Sequence, residues 1–162
     1  CLAEGDAKYT MSLPFGVIQL MDAQNGRALL DEYILALKEQ FRKKGKTLYA
    51  VGGTWRSMAK VWSIQHSKWR RVKNGQKIAA VKILPFLEDM QNTEFQELVK
   101  AYGIDKKRAQ MIPGAAYAMK TLINALGLSK VVFSETGLRE GVLHTEYIKQ
   151  QEENDEQSKA TA

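Results

Sequence analysis

Residues 47–56 read Thr-Leu-Tyr-Ala-Val-Gly-Gly-Thr-Trp-Arg, and this stretch decides the fold. Its first part, Thr47–Val51, is a short and almost wholly apolar run, which is typical of a buried parallel strand rather than of a half-exposed one. After the two glycines, apolar residues recur at positions 55, 58, 59 and 62, the spacing of an amphipathic helix. The stretch therefore predicts a strand, a tight turn and a helix with Thr54 as its N-cap.

The turn between this strand and this helix has the features of an anion site. Gly52 and Gly53 let the backbone approach a ligand closely, and the helix exposes N–H groups that carry a partial positive charge. An anion here would gain about 0.3–1 kcal/mol from the helix dipole besides its hydrogen bonds, and phosphate is the natural guest. Gly-Gly-Thr alone is a weak motif, so a tight turn without a ligand is the alternative.

The amino-terminal part of the chain favours strands and then a helix. Residues 9–20 are rich in apolar and β-branched types, and they predict two short strands or one strand interrupted near Pro14 and Gly16. From Asn25, which can cap a helix, leucine and aromatic residues recur at helical spacing to about Phe41.

Helices dominate the middle of the chain. Residues 78–90 favour a helix that is interrupted at Pro85. Thr93 and Gln96 form a capping-box pattern, which predicts a helix that ends near Gly103.

The last part of the chain predicts two helical segments, a strand and a further helix. Asp105 starts one segment, and Pro113 suits the first turn of a fresh helix. Lys130–Ser134 is the final strand, and a helix should run from Leu138 to about Lys149. We therefore expect an α/β domain with a mixed sheet flanked by helices, in which this strand and Thr47–Val51 are interior neighbours. The turns after them should then face one cleft.

Composition sets bounds on the class of protein. The chain has 162 residues, a formal charge of +6, 44% hydrophobic residues and a single cysteine, Cys1, values that exclude collagen-like, disulfide-stapled and wholly disordered proteins. No apolar run approaches the roughly 20 residues of a membrane-spanning helix. Because the chain starts at Cys1 and not at a methionine, we expect a domain cut from a longer protein; a lipoprotein processed at this cysteine is the less favoured alternative. A lone cysteine can form no internal disulfide, which indicates the cytoplasm. Residues 1–151 are predicted to form this domain and residues 152–162 an acidic flexible tail.

Positive charge is concentrated in one segment. Residues 42–77 contain eleven lysines and arginines and no aspartate or glutamate, which suggests a polyanion partner, and Arg70, Arg71 and Lys73 lie at its densest part. The alternative is a solvated loop whose charge is neutralised by acids elsewhere. Three tryptophans spaced by seven residues could stack on bases, but this spacing more often marks a core-facing stripe.

A complete catalytic site is not visible in the sequence. His66 and His144 have no metal-ligand spacing, and there is no Walker loop or nucleophile elbow. Glu135, Glu140 and Glu146 lie near the last strand and helix, where each could be a surface acid.

Four short motifs, taken in order, resemble the Ppx/GppA phosphatases, which are exopolyphosphatases and guanosine pentaphosphate phosphohydrolases. The resemblance runs from about residue 12 to residue 143, and its most specific part is the Gly-Leu-Arg-Glu-Gly run after the last strand. The motifs are Ser12-Leu13-Pro14-Phe15-Gly16, Val51-Gly52-Gly53-Thr54-Trp55-Arg56, Gly103-Ile104 with Arg108-Ala109 and Ile112-Pro113-Gly114-Ala115, and Phe133-Ser134 with Gly137-Leu138-Arg139-Glu140-Gly141.

This resemblance implies the second of two ribonuclease-H-like domains of the actin-like superfamily, which face each other across a cleft. It places the catalytic glutamate in the absent first lobe, and an aspartate with a glycine-serine phosphate loop just upstream of Cys1. It implies magnesium, with ligands outside this chain, and polyphosphate or guanosine pentaphosphate as the partner; the sequence leaves a homodimer open. The expected phosphate contacts are Gly52, Gly53, Thr54, Arg56, Arg108, Gly137, Arg139 and Glu140.

One segment departs from the family pattern. Many members carry Tyr-Pro-Leu and His-Gly-Tyr type segments after the Gly-Gly-Thr helix, whereas residues 65–76 here are polar and cationic.

The leading hypothesis for the function is that this chain is the second domain of a hydrolase that releases terminal phosphate, and that it is inactive as this piece alone. The alternative is a non-catalytic module that binds polyanions or nucleic acid.

Overall fold

A three-stranded mixed sheet and the helices around it position the candidate site. The computed structural model describes residues 2–4, 6–9, 12–22, 25–41, 47–66 and 74–160. Its elements are β1 (Leu2–Glu4), β2 (Asp6–Tyr9), a single 3-10 turn (Gln19–Met21), α1 (Asn25–Phe41), β3 (Thr47–Val51), α2 (Gly53–His66), β4 (Gln76–Ala79), α3 (Ala80–Asn92), α4 (Phe95–Tyr102), α5 (Lys106–Leu126), β5 (Lys130–Ser134) and α6 (Leu138–Ala160).

The central strand of this sheet is β5. It pairs in parallel with β3, with Val51 opposite Ser134, and antiparallel with β4. The predicted parallel neighbours are therefore confirmed, but the prediction that β3 is an interior, buried strand is wrong. In the described part of the chain β3 is an edge strand, and Tyr49 and Val51 on its outer face are 67% and 47% exposed. An apolar run alone does not reveal whether both faces of a strand are covered.

Two predicted breaks in helices are absent. Residues 76–79 form β4, and α3 then continues through Pro85 to Asn92. Burying Phe86, Leu87 and Met90 stabilises the helix by roughly 1.5–3 kcal/mol per side chain, which outweighs the approximately 3 kcal/mol penalty of an internal proline. The same reason applies to Pro113, which lies inside α5 instead of beginning a fresh helix.

Helix α5 is the centre of the core. The Asp105 side chain caps it by accepting hydrogen bonds from the backbone N–H groups of Lys107 and Arg108, as the sequence predicts for a helix start. Its buried residues, among them Ile112 and Met119, pack against α1, α2, α3 and α4. Since this helix is held on several sides, it provides a rigid base for side chains at its amino terminus.

The predicted Thr93 cap and the strands predicted within residues 9–20 differ from the structure. Thr93 does not cap α4, because its hydroxyl donates to the Asp89 carbonyl at the end of α3; Gly103, in the left-handed conformation, does end α4 as predicted. Of residues 9–20, only Tyr9 lies in a described strand. The Gly16 N–H donates to Oε1 of Gln19 at 2.9 Å, a local contact in place of a bond to a neighbouring strand.

The last helix, α6, extends to Ala160, well past its predicted end near Lys149. The sequence there is rich in glutamate, glutamine and lysine, which favour helices, and Lys149 pairs with Glu146. Residues 152–160, expected to be a tail, are thus helical. Side chains from Leu138 to Glu152 are exposed. Among the described helices, none is long and apolar enough to cross a membrane.

Candidate anion-binding site

Three segments of the chain meet at the carboxyl ends of β3 and β5. Because these strands are parallel neighbours, the turn at Gly52 and the turn at residues 135–137 lie at the same edge of the sheet. A Cβ atom built on Gly137 would lie 3.9 Å from Cγ1 of Val51. The expectation that Gly53 and Gly137 share one side of the molecule is therefore confirmed.

The turn at Gly52 presents the amino terminus of α2. Gly52 has φ of 126°, a conformation that favours glycine, and its carbonyl accepts the first helical hydrogen bond, from the N–H of Arg56. Since the helix begins at Gly53, Thr54 lies within the first turn and is not the N-cap that the sequence predicts. The N–H groups of this first turn have no acceptor within the helix, which leaves them available to an anion.

Arg108 covers this helix terminus. It lies in the first turn of α5, where the Asp105 cap fixes the backbone. A Cβ built on Gly53 would lie 3.5 Å from Nε and 3.7 Å from Nη2 of Arg108, so the guanidinium packs against the glycine itself. The structure thus brings together two motifs that are more than fifty residues apart in the sequence.

Arg56 links α2 to the turn at residues 135–137. Its Nη1 donates to the carbonyl oxygen of Glu135 at 3.2 Å, and the Glu135 N–H donates to the side-chain oxygen of Asn74 at 2.8 Å. Sequence reasoning missed both contacts, because the Arg56 bond ends on a main-chain atom of a residue 79 positions away. In the sequence, Asn74 directly follows the run that contains Arg70, Arg71 and Lys73.

Glu140 joins the same turn from the first turn of α6. Its Oε2 accepts a hydrogen bond from the Gly137 N–H at 2.7 Å, the arrangement of a capping-box glutamate. Hydrogen bonds from its own N–H and from that of Gly137 lower the pKa of the carboxyl, and the charges of Arg56 and Arg139 lower it further. Gly137 followed three residues later by Glu140 is the sequence signal that could have predicted this cap.

A mostly apolar cavity of about 360 Å³ opens beside the helix terminus. Thr54 and Trp55 form part of its wall, together with Phe15 from the 12–22 segment and Ala118 from α5. Two of the three tryptophans lie against the core, as the sequence suggests: Trp62 is buried and stacks on His66, and Trp55 packs against the same core. Base stacking on Trp62 is therefore excluded.

Several sequence predictions fall outside the described residues. Arg70, Arg71 and Lys73 are among them, as are Trp69, Cys1 and residues 161–162. Within the described chain, no three histidine, cysteine, aspartate or glutamate side chains are arranged to hold a metal ion.

The sequence profile of the Ppx/GppA phosphatase family matches residues 9–150. This chain belongs to that family. Among curated proteins, none matches the sequence. Three of the four motifs that resemble this family converge at the edge of the sheet, since Gly53, Arg108 and Gly137 each belong to a different one.

Solved structures show the same fold. A Ppx/GppA family member from Aquifex aeolicus has a TM-score of 0.67 and 20% identity, and the similarity covers 86% of this chain and 49% of that chain. An exopolyphosphatase from Cytophaga hutchinsonii has a TM-score of 0.72 and 17% identity, with 87% of this chain and 50% of that chain covered. This Ppx/GppA chain therefore spans about half the length of these solved relatives.

Proposed function

We propose that this chain is the second domain of a hydrolase that releases terminal phosphate from inorganic polyphosphate or from guanosine pentaphosphate. The observation that carries the proposal is the Arg108 guanidinium placed over Gly53 at the amino terminus of α2. A guanidinium and a row of free N–H groups form a combination that binds phosphate oxygens. On this proposal the fold is ribonuclease-H-like, of the actin-like superfamily, and the whole protein is cytoplasmic.

The residues of this chain would bind and orient the phosphate chain. Phosphoryl transfer depends mainly on positioning and on stabilising the charge of the equatorial oxygens, and Arg56 and Arg108 provide fixed positive charge for that purpose. The general base that activates water would come from the other lobe, which this chain does not contain. We therefore propose that the chain alone releases no phosphate.

The family resemblance implies magnesium, which proteins hold through one or two carboxylates together with water and substrate phosphates. Among the described residues, no three histidine, cysteine, aspartate or glutamate side chains are arranged to hold a metal ion. The Glu140 carboxylate accepts a hydrogen bond from the Gly137 N–H and lies near the charges of Arg56 and Arg139. We propose, as the family resemblance implies, that the magnesium ligands lie outside this chain; binding by the two arginines does not require the metal.

A polyanion-binding module without catalysis is the second candidate, and the acid-free segment of residues 42–77 favours it. The two candidates differ in their preferred ligand. A phosphatase domain should prefer a phosphate chain, whereas a diffuse cationic surface should prefer single-stranded nucleic acid, which also offers bases.

The experiment is a calorimetric titration of the full chain with tripolyphosphate and, separately, with a short single-stranded DNA of equal charge. The proposal predicts tighter binding of tripolyphosphate and no phosphate release when magnesium and long-chain polyphosphate are supplied. Tighter binding of the DNA would favour the module instead. Phosphate release by the chain alone would show that the catalytic base lies within it.

A further inference from the structure

Two charged side chains of the site meet at the turn formed by residues 135–137. Arg56 reaches it from α2 and donates to the carbonyl oxygen of Glu135, while Glu140 reaches it from α6 and accepts from the N–H of Gly137. The turn is thus held on one side by a cation and on the other by an anion.

Glu140 is poorly suited to contact phosphate directly, although it is among the phosphate contacts that the family resemblance implies. Its carboxylate is negatively charged, and one of its oxygens already accepts the Gly137 N–H. We infer that Glu140 is a positioning residue, which fixes the turn at residues 135–137 and the Arg56 guanidinium so that Arg56 presents its remaining N–H groups to an anion at the start of α2. This inference rests on the proposed function.

Arg56 needs such support because its side chain is exposed and long. A guanidinium has five N–H donors in a fixed fork, and the bond to the Glu135 carbonyl uses one of them. An arginine that is already oriented loses less conformational freedom when a ligand binds, so the same contacts give higher affinity. Glu140 supplies orientation in two ways, by anchoring the turn that Arg56 bonds to and by attracting its charge.

Whether phosphate binding weakens or strengthens when Glu140 is removed distinguishes a positioning role from that of a nearby negative charge. If Glu140 were only a negative charge near a phosphate site, its removal would strengthen phosphate binding, because a repulsion would disappear. If it positions Arg56, its removal weakens binding, and it does so only while Arg56 is present. A cap that stabilises α6 without reaching Arg56 would leave the affinity unchanged.

The first experiment is a double-mutant cycle with tripolyphosphate as the probe, by calorimetry at neutral pH and low salt. Glu140→Ala removes both the accepting oxygen that anchors the turn and the charge, and Glu146→Ala on the same helix is the charge-matched control. We expect Glu140→Ala to weaken binding about three- to tenfold, the control to have little effect, and Glu140→Ala to add no loss to Arg56→Ala. Unchanged or tighter binding by Glu140→Ala, or an equal loss without Arg56, would overturn the inference.

A second experiment needs no ligand, so it decides the inference even if tripolyphosphate fails to bind and the proposed function fails with it. The guanidinium N–H signals of Arg56 are followed by NMR in the free protein. We expect slow rotation and slow solvent exchange of these groups in the wild type and in Glu146→Ala, and several-fold faster exchange in Glu140→Ala. Identical Arg56 signals in the wild type and Glu140→Ala would contradict the positioning role.

Discussion

The guanidinium of Arg108 packs directly on Gly53, with Nε 3.5 Å from the position that a Cβ on this glycine would occupy. A methyl group at position 53 would just touch the guanidinium, so a side chain longer than alanine would have to displace it. The contact therefore joins the amino termini of α2 and α5 into one positively charged surface.

Loss of the Arg108 guanidinium should weaken phosphate binding. Charge-assisted hydrogen bonds contribute about 1.5–3 kcal/mol, so we expect Arg108→Ala to raise the Kd for tripolyphosphate at least tenfold. Lys107→Ala, which removes an equal charge from the next position of the same helix, should change it less than about threefold, as expected for an exposed charge in water. Calorimetry checks both variants, and equal losses would mean that only net charge matters.

The two glycines of the turn should respond differently to substitution. Gly52→Ala forces a Cβ into a backbone conformation with φ of 126°, and such strain costs about 1–3 kcal/mol. Gly53 lies in the helix, and its added Cβ would make ordinary contacts with Arg108, so Gly53→Ala should fold with near wild-type stability. Urea unfolding of both variants measures this difference. A Gly53→Ala variant less stable than Gly52→Ala would contradict the positive φ at Gly52.

A second pair of glycines tests the core. Gly114 is buried in α5, and a Cβ there would lie 2.7 Å from the Val17 carbonyl oxygen, so Gly114→Ala should lower the free energy of unfolding by about 1–3 kcal/mol. Gly141 lies in the exposed α6 with no neighbour within 4 Å of an added Cβ. Gly141→Ala should be neutral or stabilise α6 by about 0.5–1 kcal/mol. Thermal unfolding followed by circular dichroism compares them, and a stabilising Gly114→Ala would contradict the close approach.

The Glu140 carboxyl should titrate below its usual value of 4.5. The N–H groups of Glu140 and Gly137, and then the charges of Arg56 on α2 and Arg139 on α6, favour the ionised form and lower the pKa. Since the folded state has the lower pKa, the contribution of Glu140 to stability is complete above about pH 4.5 and is lost as the pH falls through the folded-state pKa. NMR titration of the carboxyl carbon in the wild type and in Arg56→Ala checks this, and the midpoint should rise in the variant. A midpoint at or above 4.5 in the wild type would disprove the arrangement.

Much of the fold follows from local sequence patterns. The bounds of β3 and β5, the starts of α1 and α6, the Asp105 cap and the helix end at Gly103 depend on residues close in the chain, so periodicity and capping rules predict them. The internal prolines at 85 and 113 were predicted wrongly because tertiary burial outweighs a local rule. The edge position of β3 depends on which strands lie beside it, and no local pattern contains that information.

The site could be predicted in part. The turn at Gly52 is a local motif, and the family resemblance places Arg108 near it. The contacts of Arg56 with Glu135 and of Asn74 with Glu135 join main-chain and side-chain atoms that are distant in the sequence, so neither composition nor spacing indicates them. The basic residues Arg70, Arg71 and Lys73 lie outside the described residues, and their role in binding stays a prediction.

The most direct test of the central claim, that a formed phosphate site lies at the start of α2 within a basic surface, is titration with polyphosphate at several salt concentrations. Log K should fall by roughly 0.7–0.9 per neutralised phosphate for each unit of log salt. Charge reversal at Arg70, Arg71 and Lys73 should lower both the affinity and this slope, whereas Thr54→Ala should lower the affinity with little change in slope. Binding that is absent at low salt, or that neither variant alters, would contradict the account.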